Sequence, residues 1–150
     1  MEENNILNKL NNISDIKKLN ENELEILSKD IRKLLVRTTA LTGGHLSSSL
    51  GVVELTIALF KNFDLSKDKV VWDVGHQAYA HKILSGRRES FSTLRQKDGI
   101  CGFPKQSESP YDAFIAGHSS TSISAALGIA KANIINKNKN VTIAVIGDGA

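Results

Sequence analysis

Apolar residues recur at three- and four-residue steps from Leu24 through Leu27, Ile31, Leu34 and Leu35, which is the period of an amphipathic helix. The spacing predicts a helix over about 21–39, opened by Asn20 and Glu23 as a capping pair and stopped at Gly43-Gly44. Upstream, Ile6, Leu7, Leu10, Ile13, Ile16 and Leu19 keep a looser helical spacing, interrupted by Asn11, Asn12 and Ser14. Short helical turns packed on something larger are expected there. A second helix is predicted over about 48–62, where Val52, Val53, Leu55, Ile57, Leu59 and Phe60 cover most of the circumference. A helix apolar on so many sides needs cover on several faces, more than a small domain offers.

The segment 69–74 is a strand by its β-branched and aromatic content, and it ends at Gly75-His76. A helix is predicted over about 77–84 and a shorter one over about 89–97. The stretch 98–112, with Gly99, Gly102 and both prolines, is expected to be loop. Gly117-His118-Ser119-Ser120 then opens a helix in which Ile123, Leu127, Ala130 and Ile134 form one stripe. The run 141–146 is apolar enough for a buried strand, and it delivers Asp148 between Gly147 and Gly149. Strand, helices and strand in that order predict an α/β fold, a parallel sheet with flanking helices. Two strands fall short of the usual five or six, so the domain is expected to be incomplete at Ala150.

Composition narrows the function classes. Of the 150 residues 41% are hydrophobic and 23% charged, which is globular and not disordered. The net charge is +3, and the basic residues are spread without a block, so no nucleic-acid surface is expected. The single cysteine, Cys101, has no partner for a disulfide or a zinc knuckle. The first twenty residues are polar and Asn-rich, unlike a signal peptide, and no run approaches membrane-spanning length. A cytoplasmic protein without a membrane partner is the expectation.

Three of the four histidines follow a glycine at an element boundary: Gly44-His45, Gly75-His76 and Gly117-His118. In parallel α/β folds the carboxyl ends of the strands and their loops form the ligand crevice. One such pair is what a turn residue looks like; three favour a shared site, with histidine supplying a donor, an acceptor and a near-neutral pKa. His81, inside a predicted helix, is expected to be structural. Arg87 and Arg88 are expected to be solvated helix-end charges rather than phosphate ligands. The hydroxyls of Ser119, Ser120, Thr121 and Ser122 exceed what capping needs, and the amides of a helix start suit a phosphate. Asp148, at a strand end between glycines, suits Mg²⁺ on a diphosphate, because Mg²⁺ takes few carboxylates and completes its shell with phosphate oxygens and water.

Four stretches, 42–55, 72–88, 117–125 and 147–150, together resemble the amino-terminal part of the 1-deoxy-D-xylulose-5-phosphate synthase family. These are thiamine-diphosphate enzymes of the transketolase-like group. Leu46-Ser47-Ser48-Ser49 stands where ordinary transketolases carry a Pro-Gly-rich segment, which favours the synthase. The resemblance implies a thiamine-diphosphate-binding, transketolase-like fold, with residues 1–150 as the amino-terminal part of the diphosphate-binding domain. It implies condensation of pyruvate with glyceraldehyde 3-phosphate and release of CO₂, in a homodimer. Asp148 matches the Mg²⁺ ligand. Ser48, His76, Gly117, His118, Ser119, Gly149 and Ala150 match cofactor-contacting positions, and His45 the position near the reactive ring. The family's closing Asn and activating Glu match nothing up to Ala150. Residues 1–150 alone are therefore expected to be inactive, and poorly ordered at 45–60 and 141–150. A subunit of a split transketolase-like enzyme, or a non-catalytic binding module, stays open as an alternative.

Overall fold

The computed structural model describes residues 5–115 and 117–148. Gly149 and Ala150, two of the predicted cofactor contacts, lie outside the described residues.

The strongest helical pattern forms α2, Glu21–Thr42. Its capping box is in place: Asn20 Oδ1 accepts from the Glu23 amide at 3.0 Å, and the Glu23 carboxylate accepts from the Asn20 amide at 2.9 Å. The predicted stripe lies inward, with Leu27, Ile31 and Leu35 fully buried. The amino-terminal arm forms the expected short turns, α1 (Ile6–Lys9) and a 3₁₀ turn over Ile13–Lys18. Polar anchors hold it. The buried Asp30 carboxylate accepts from the Ile6 amide at 2.8 Å, and the Arg88 guanidinium donates to the Leu7 and Leu10 carbonyls.

The predicted 48–62 helix is two helices, α3 (Leu46–Leu50) and α4 (Val53–Asn62), separated at Gly51-Val52. Three consecutive serines and a glycine give the first piece little helical propensity. The expected shortage of cover is confined here to Leu55, which is 45% exposed. Val53, Ile57, Leu59 and Phe60 are buried in one core with the α2 stripe, Leu7, Ile16 and Tyr79.

Strands β1 (Lys69–Trp72) and β2 (Thr142–Val145) pair in parallel, with Lys69 opposite Thr142 and Trp72 opposite Val145. Between them come α5 (Tyr79–Lys82), a π-type turn over Ile83–Arg87, a 3₁₀ turn over Glu89–Thr93, the expected loop 98–112, and α6 (Ser122–Ile135). The shortage of cover falls on α6 and β2. The predicted stripe of α6 faces outward, with Ile123, Leu127 and Ile134 55%, 59% and 69% exposed. The side turned to the sheet is small, Ser122 and Ala126, which brings the helix close to the strands. Strand β2 is accordingly half-buried rather than buried. No helix among the described residues is long and apolar enough to cross a membrane.

Candidate functional site

The site begins where β1 ends. Asp73 follows the strand and is buried. Its Oδ1 accepts from the Ser120 amide at 3.0 Å and its Oδ2 from the Ser122 amide at 3.1 Å. These are free amides at the start of α6, which need acceptors. Helix α6 consequently begins at Ser122, and Gly117–Ser120 is a loop drawn onto Asp73, not the first turn. At two of its amides, the helix start offered to a phosphate by the sequence is already held by the protein's own carboxylate. Hydrogen bonds from Ser122 and Ser120 at the start of α6 outweigh burial and keep the Asp73 carboxyl below its ordinary value. Asp73 escaped the sequence reading, although it occupies the same strand-end position that singled out Asp148.

After Asp73 the chain turns sharply. Val74 has φ +59° and Gly75 φ +90°. A side chain at Gly75 would place its Cβ 2.6 Å from Pro104 Cδ. Gly44 (φ +122°) is equally constrained, since a Cβ there would lie 2.5 Å from the Tyr79 hydroxyl. That hydroxyl accepts from the His45 amide at 3.3 Å. Two Gly-His turns are thus driven together. The imidazoles of His45 and His76 meet edge to face, with ring centroids 5.3 Å apart and planes at 77°. Phe103 also stands beside His45, at 6.5 Å between centroids. The Ser49 hydroxyl donates to the His76 carbonyl at 3.3 Å. Burial, with His45 beside it, pushes the His76 pKa down.

A cleft of about 430 Å³ opens at these strand ends, lined by Ser48, Asp73, His76, Gln77, Ser119 and Asp148 among others. Four predicted site residues therefore share one cavity: Ser48, His76, Ser119 and Asp148. His45 joins them through its contact with His76. Gly117 and His118 are exposed in the loop leading to Ser119 and do not line the cleft. Gln77 is a lining residue that no motif marked. Its Nε2 donates to the Asp73 carbonyl at 3.0 Å, which fixes the amide plane.

Three polar atoms on this wall, Ser48 Oγ, His76 Nδ1 and Gln77 Oε1, are buried without a hydrogen-bond partner among the described residues. Buried polar atoms are normally paired, so three unpaired ones on residues that line one cleft favour a ligand there. Asp148 is exposed. No group of three or more metal-ligating side chains occurs among the described residues. One carboxylate beside a cleft with open polar atoms fits a hard cation that draws its other ligands from phosphate and water.

The remaining motif residues lie elsewhere. His81 is buried against Trp72 and Phe60 and bonds Asp112, as a structural histidine would. Neither Arg87 nor Arg88 lines the cleft, and Arg87 is buried while Arg88 is half-buried. Arg87 is buried in a two-pronged pair with Asp112, and Arg88 holds the amino-terminal arm. Bidentate geometry and open carbonyls recruited both guanidiniums inward.

Residues 7–150 match the family model described as 1-deoxy-D-xylulose-5-phosphate synthase. Among curated proteins, the chain is 62% identical over 146 residues to the 1-deoxy-D-xylulose-5-phosphate synthase of Clostridium beijerinckii, covering 97% of this chain and 24% of that protein. It is 60% identical to the protein of that name from Alkaliphilus oremlandii, covering 96% of this chain and 23% of the relative. For that of Syntrophus aciditrophicus the identity is 58%, with 97% and 22% covered. The chain spans about a quarter of the length of these relatives.

Proposed function

The chain belongs to the 1-deoxy-D-xylulose-5-phosphate synthase family, and from that premise we propose that its cleft is the amino-terminal wall of a thiamine-diphosphate and Mg²⁺ site. The complete enzyme would condense pyruvate with glyceraldehyde 3-phosphate to 1-deoxy-D-xylulose 5-phosphate and CO₂. On the same premise it is a cytoplasmic, homodimeric transferase serving isoprenoid, thiamine and pyridoxal synthesis. These residues would be the amino-terminal part of its diphosphate-binding domain, inactive when alone.

The observation that carries the proposal is the set of three unpartnered polar atoms sharing the strand-end cleft with Asp148. Thiamine diphosphate, when bound, supplies the carbanion chemistry. The residues supply the rest. Asp148 would hold Mg²⁺. Ser48, His76 and Ser119 would contact the cofactor, with Gly117 and His118 in the adjoining loop and Gly149 and Ala150 beyond Asp148. The His45 imidazole would move a proton or position substrate, since it stands free at the mouth of the site against His76 and Phe103.

Calorimetric titration of thiamine diphosphate into the full-length enzyme, with and without Mg²⁺, tests the assignment. Asp148→Asn should abolish the Mg²⁺ dependence and weaken binding by about 10–100-fold or more, the usual effect of disturbing a metal site. Unchanged affinity in the variant would sink it.

A further inference from the structure

Four ionisable side chains are buried together, His81, Lys82, Arg87 and Asp112, and the half-buried Glu108 joins them. Arg87 grips Asp112 with two nitrogens, at 2.6 and 2.8 Å, and His81 Nε2 lies 3.0 Å from Asp112 Oδ1. Lys82 Nζ reaches Glu108 at 2.6 Å. Burial pushes the His81 pKa down, so its ring donates as a neutral imidazole. Burial alone would raise the Asp112 carboxyl, but the hydrogen bonds from His81 and Arg87 hold it well below the usual carboxylate range.

Buried ion pairs contribute little net stability, because desolvation offsets their attraction. What this cluster holds is therefore more informative than what it is worth. Each carboxylate also accepts one backbone amide from the loop 98–112. Glu108 Oε1 takes the Cys101 amide at 2.7 Å, and Asp112 Oδ2 takes the Lys105 amide at 2.7 Å. These two amides bracket Gly102-Phe103-Pro104. Phe103 is the ring beside His45, and Pro104 is the side chain pressed on Gly75. Between the clamped amides, the loop touches both Gly-His turns of the site.

We propose that Glu108 and Asp112 are positioning residues: by fixing the amides on either side of Phe103-Pro104, they hold that pair as a wall against His45 and the Gly75-His76 turn. The proposal rests on the reading of His45 as a group that moves a proton or positions substrate. It assigns Phe103 a place beside the reacting groups, and it gives the buried charges a role that stability does not supply.

A double-mutant cycle in the full-length enzyme tests this, using Glu108→Gln, Phe103→Ala and the pair, with amide exchange by mass spectrometry alongside kinetics. Misplacement of a reacting group by about 1 Å costs up to about 100-fold. Each single variant is expected to lower kcat about tenfold, with the Michaelis constants and cofactor affinity held within about twofold. Because Glu108 acts through Phe103, the pair should be no slower than the slower single variant, a non-additivity typical of coupled residues. Exchange in Glu108→Gln should quicken about tenfold at both 101–105 and 44–46. Effects that multiply in the pair, or an unchanged kcat in Glu108→Gln with a loosened 101–105, would overturn the proposal. If Glu108→Gln does not accumulate as folded protein, Phe103→Leu decides, since it touches no charge of the cluster; a wild-type kcat there overturns the proposal. If the wild-type enzyme makes no product from pyruvate and glyceraldehyde 3-phosphate, the proposed reaction fails, and the exchange at 44–46 in Glu108→Gln still decides the positioning.

Discussion

Replacing Asp73 by alanine removes both acceptors that tie the start of α6 to the end of β1. The two amides differ in what they lose. Ser122 is buried, so its N–H is left without water, at a cost of about 1–3 kcal/mol. Ser120 is exposed, and water can take its place for a few tenths of that. Loss of the carboxylate's charge at a helix amino terminus adds about 0.3–1 kcal/mol, for a total of about 2–4 kcal/mol, consistent with a strong cap. Asp73→Asn keeps one carbonyl oxygen and should lose about half. Urea unfolding of each variant at about pH 7 reads this as a shift of midpoint at constant slope. The pH dependence sharpens the test. The folded-state pKa lies below the ordinary 3.8, so the unfolded state binds the proton first. The contribution is complete above the unfolded value and lost as pH falls through the folded one. The gap between wild type and Asp73→Ala should stay level from about pH 8 to 5 and close only in more acid solution. A gap under about 0.5 kcal/mol at neutral pH, the ordinary surface-substitution range, or one that shrinks between pH 8 and 5, would show that Asp73 does not anchor α6.

Val74, β-branched at φ +59°, should tolerate glycine. Relief of about 1–2 kcal/mol of left-handed strain offsets the added chain entropy, so thermal unfolding of Val74→Gly should move by no more than about 1 kcal/mol either way; a loss above about 2 refutes the strain. Gly44→Ala should destabilise by more than about 1 kcal/mol, because the position combines a positive φ with the Tyr79 hydroxyl where the Cβ would stand; an unchanged denaturation midpoint would show that the turn can relax. His45→Ala in the full-length enzyme should lower kcat by about 10²–10⁴-fold, the worth of a placed acid–base group, and leave calorimetric affinity for thiamine diphosphate within about twofold; a wild-type rate removes His45 from the chemistry.

How far the sequence could be read depended on whether the relevant signal was local. The α2 helix was legible because its period, its Asn20–Glu23 cap and its Gly43 stop all lie within one stretch. The strand ends were legible too, and Ser48, His76, Ser119 and Asp148 share a cleft because parallel strands bring their carboxyl ends together. The facing of α6 was not legible. Ile123, Leu127 and Ile134 make a good apolar stripe, but the close fit to the sheet went to Ser122 and Ala126. A hydropathy pattern says which residues avoid water, not which allow two backbones to approach.

The charges show the same limit more strongly. Lys82, Arg87, Glu108 and Asp112 lie up to thirty residues apart on elements whose approach no periodicity encodes, so each taken alone resembles a solvated surface residue. Together they are mutually neutralising: two cations face two carboxylates, with His81 neutral between Asp112 and the aromatic rings of Trp72 and Phe60. Each member makes at least one hydrogen bond, although His81 Nδ1 and Arg87 Nε have no partner among the described residues. Of the two backbone amides it draws in, that of Cys101 takes Glu108 Oε1, the oxygen the side-chain pairs leave open, and that of Lys105 shares Asp112 Oδ2 with Arg87. The loop between those amides is thereby tied to the core while presenting Phe103 and Pro104 to the turns of His45 and His76. A loop anchored on charges of the core can stand against the Gly44-His45 and Gly75-His76 turns without a regular element beneath it, and so a stretch that reads only as loop supports the turns that flank the cleft.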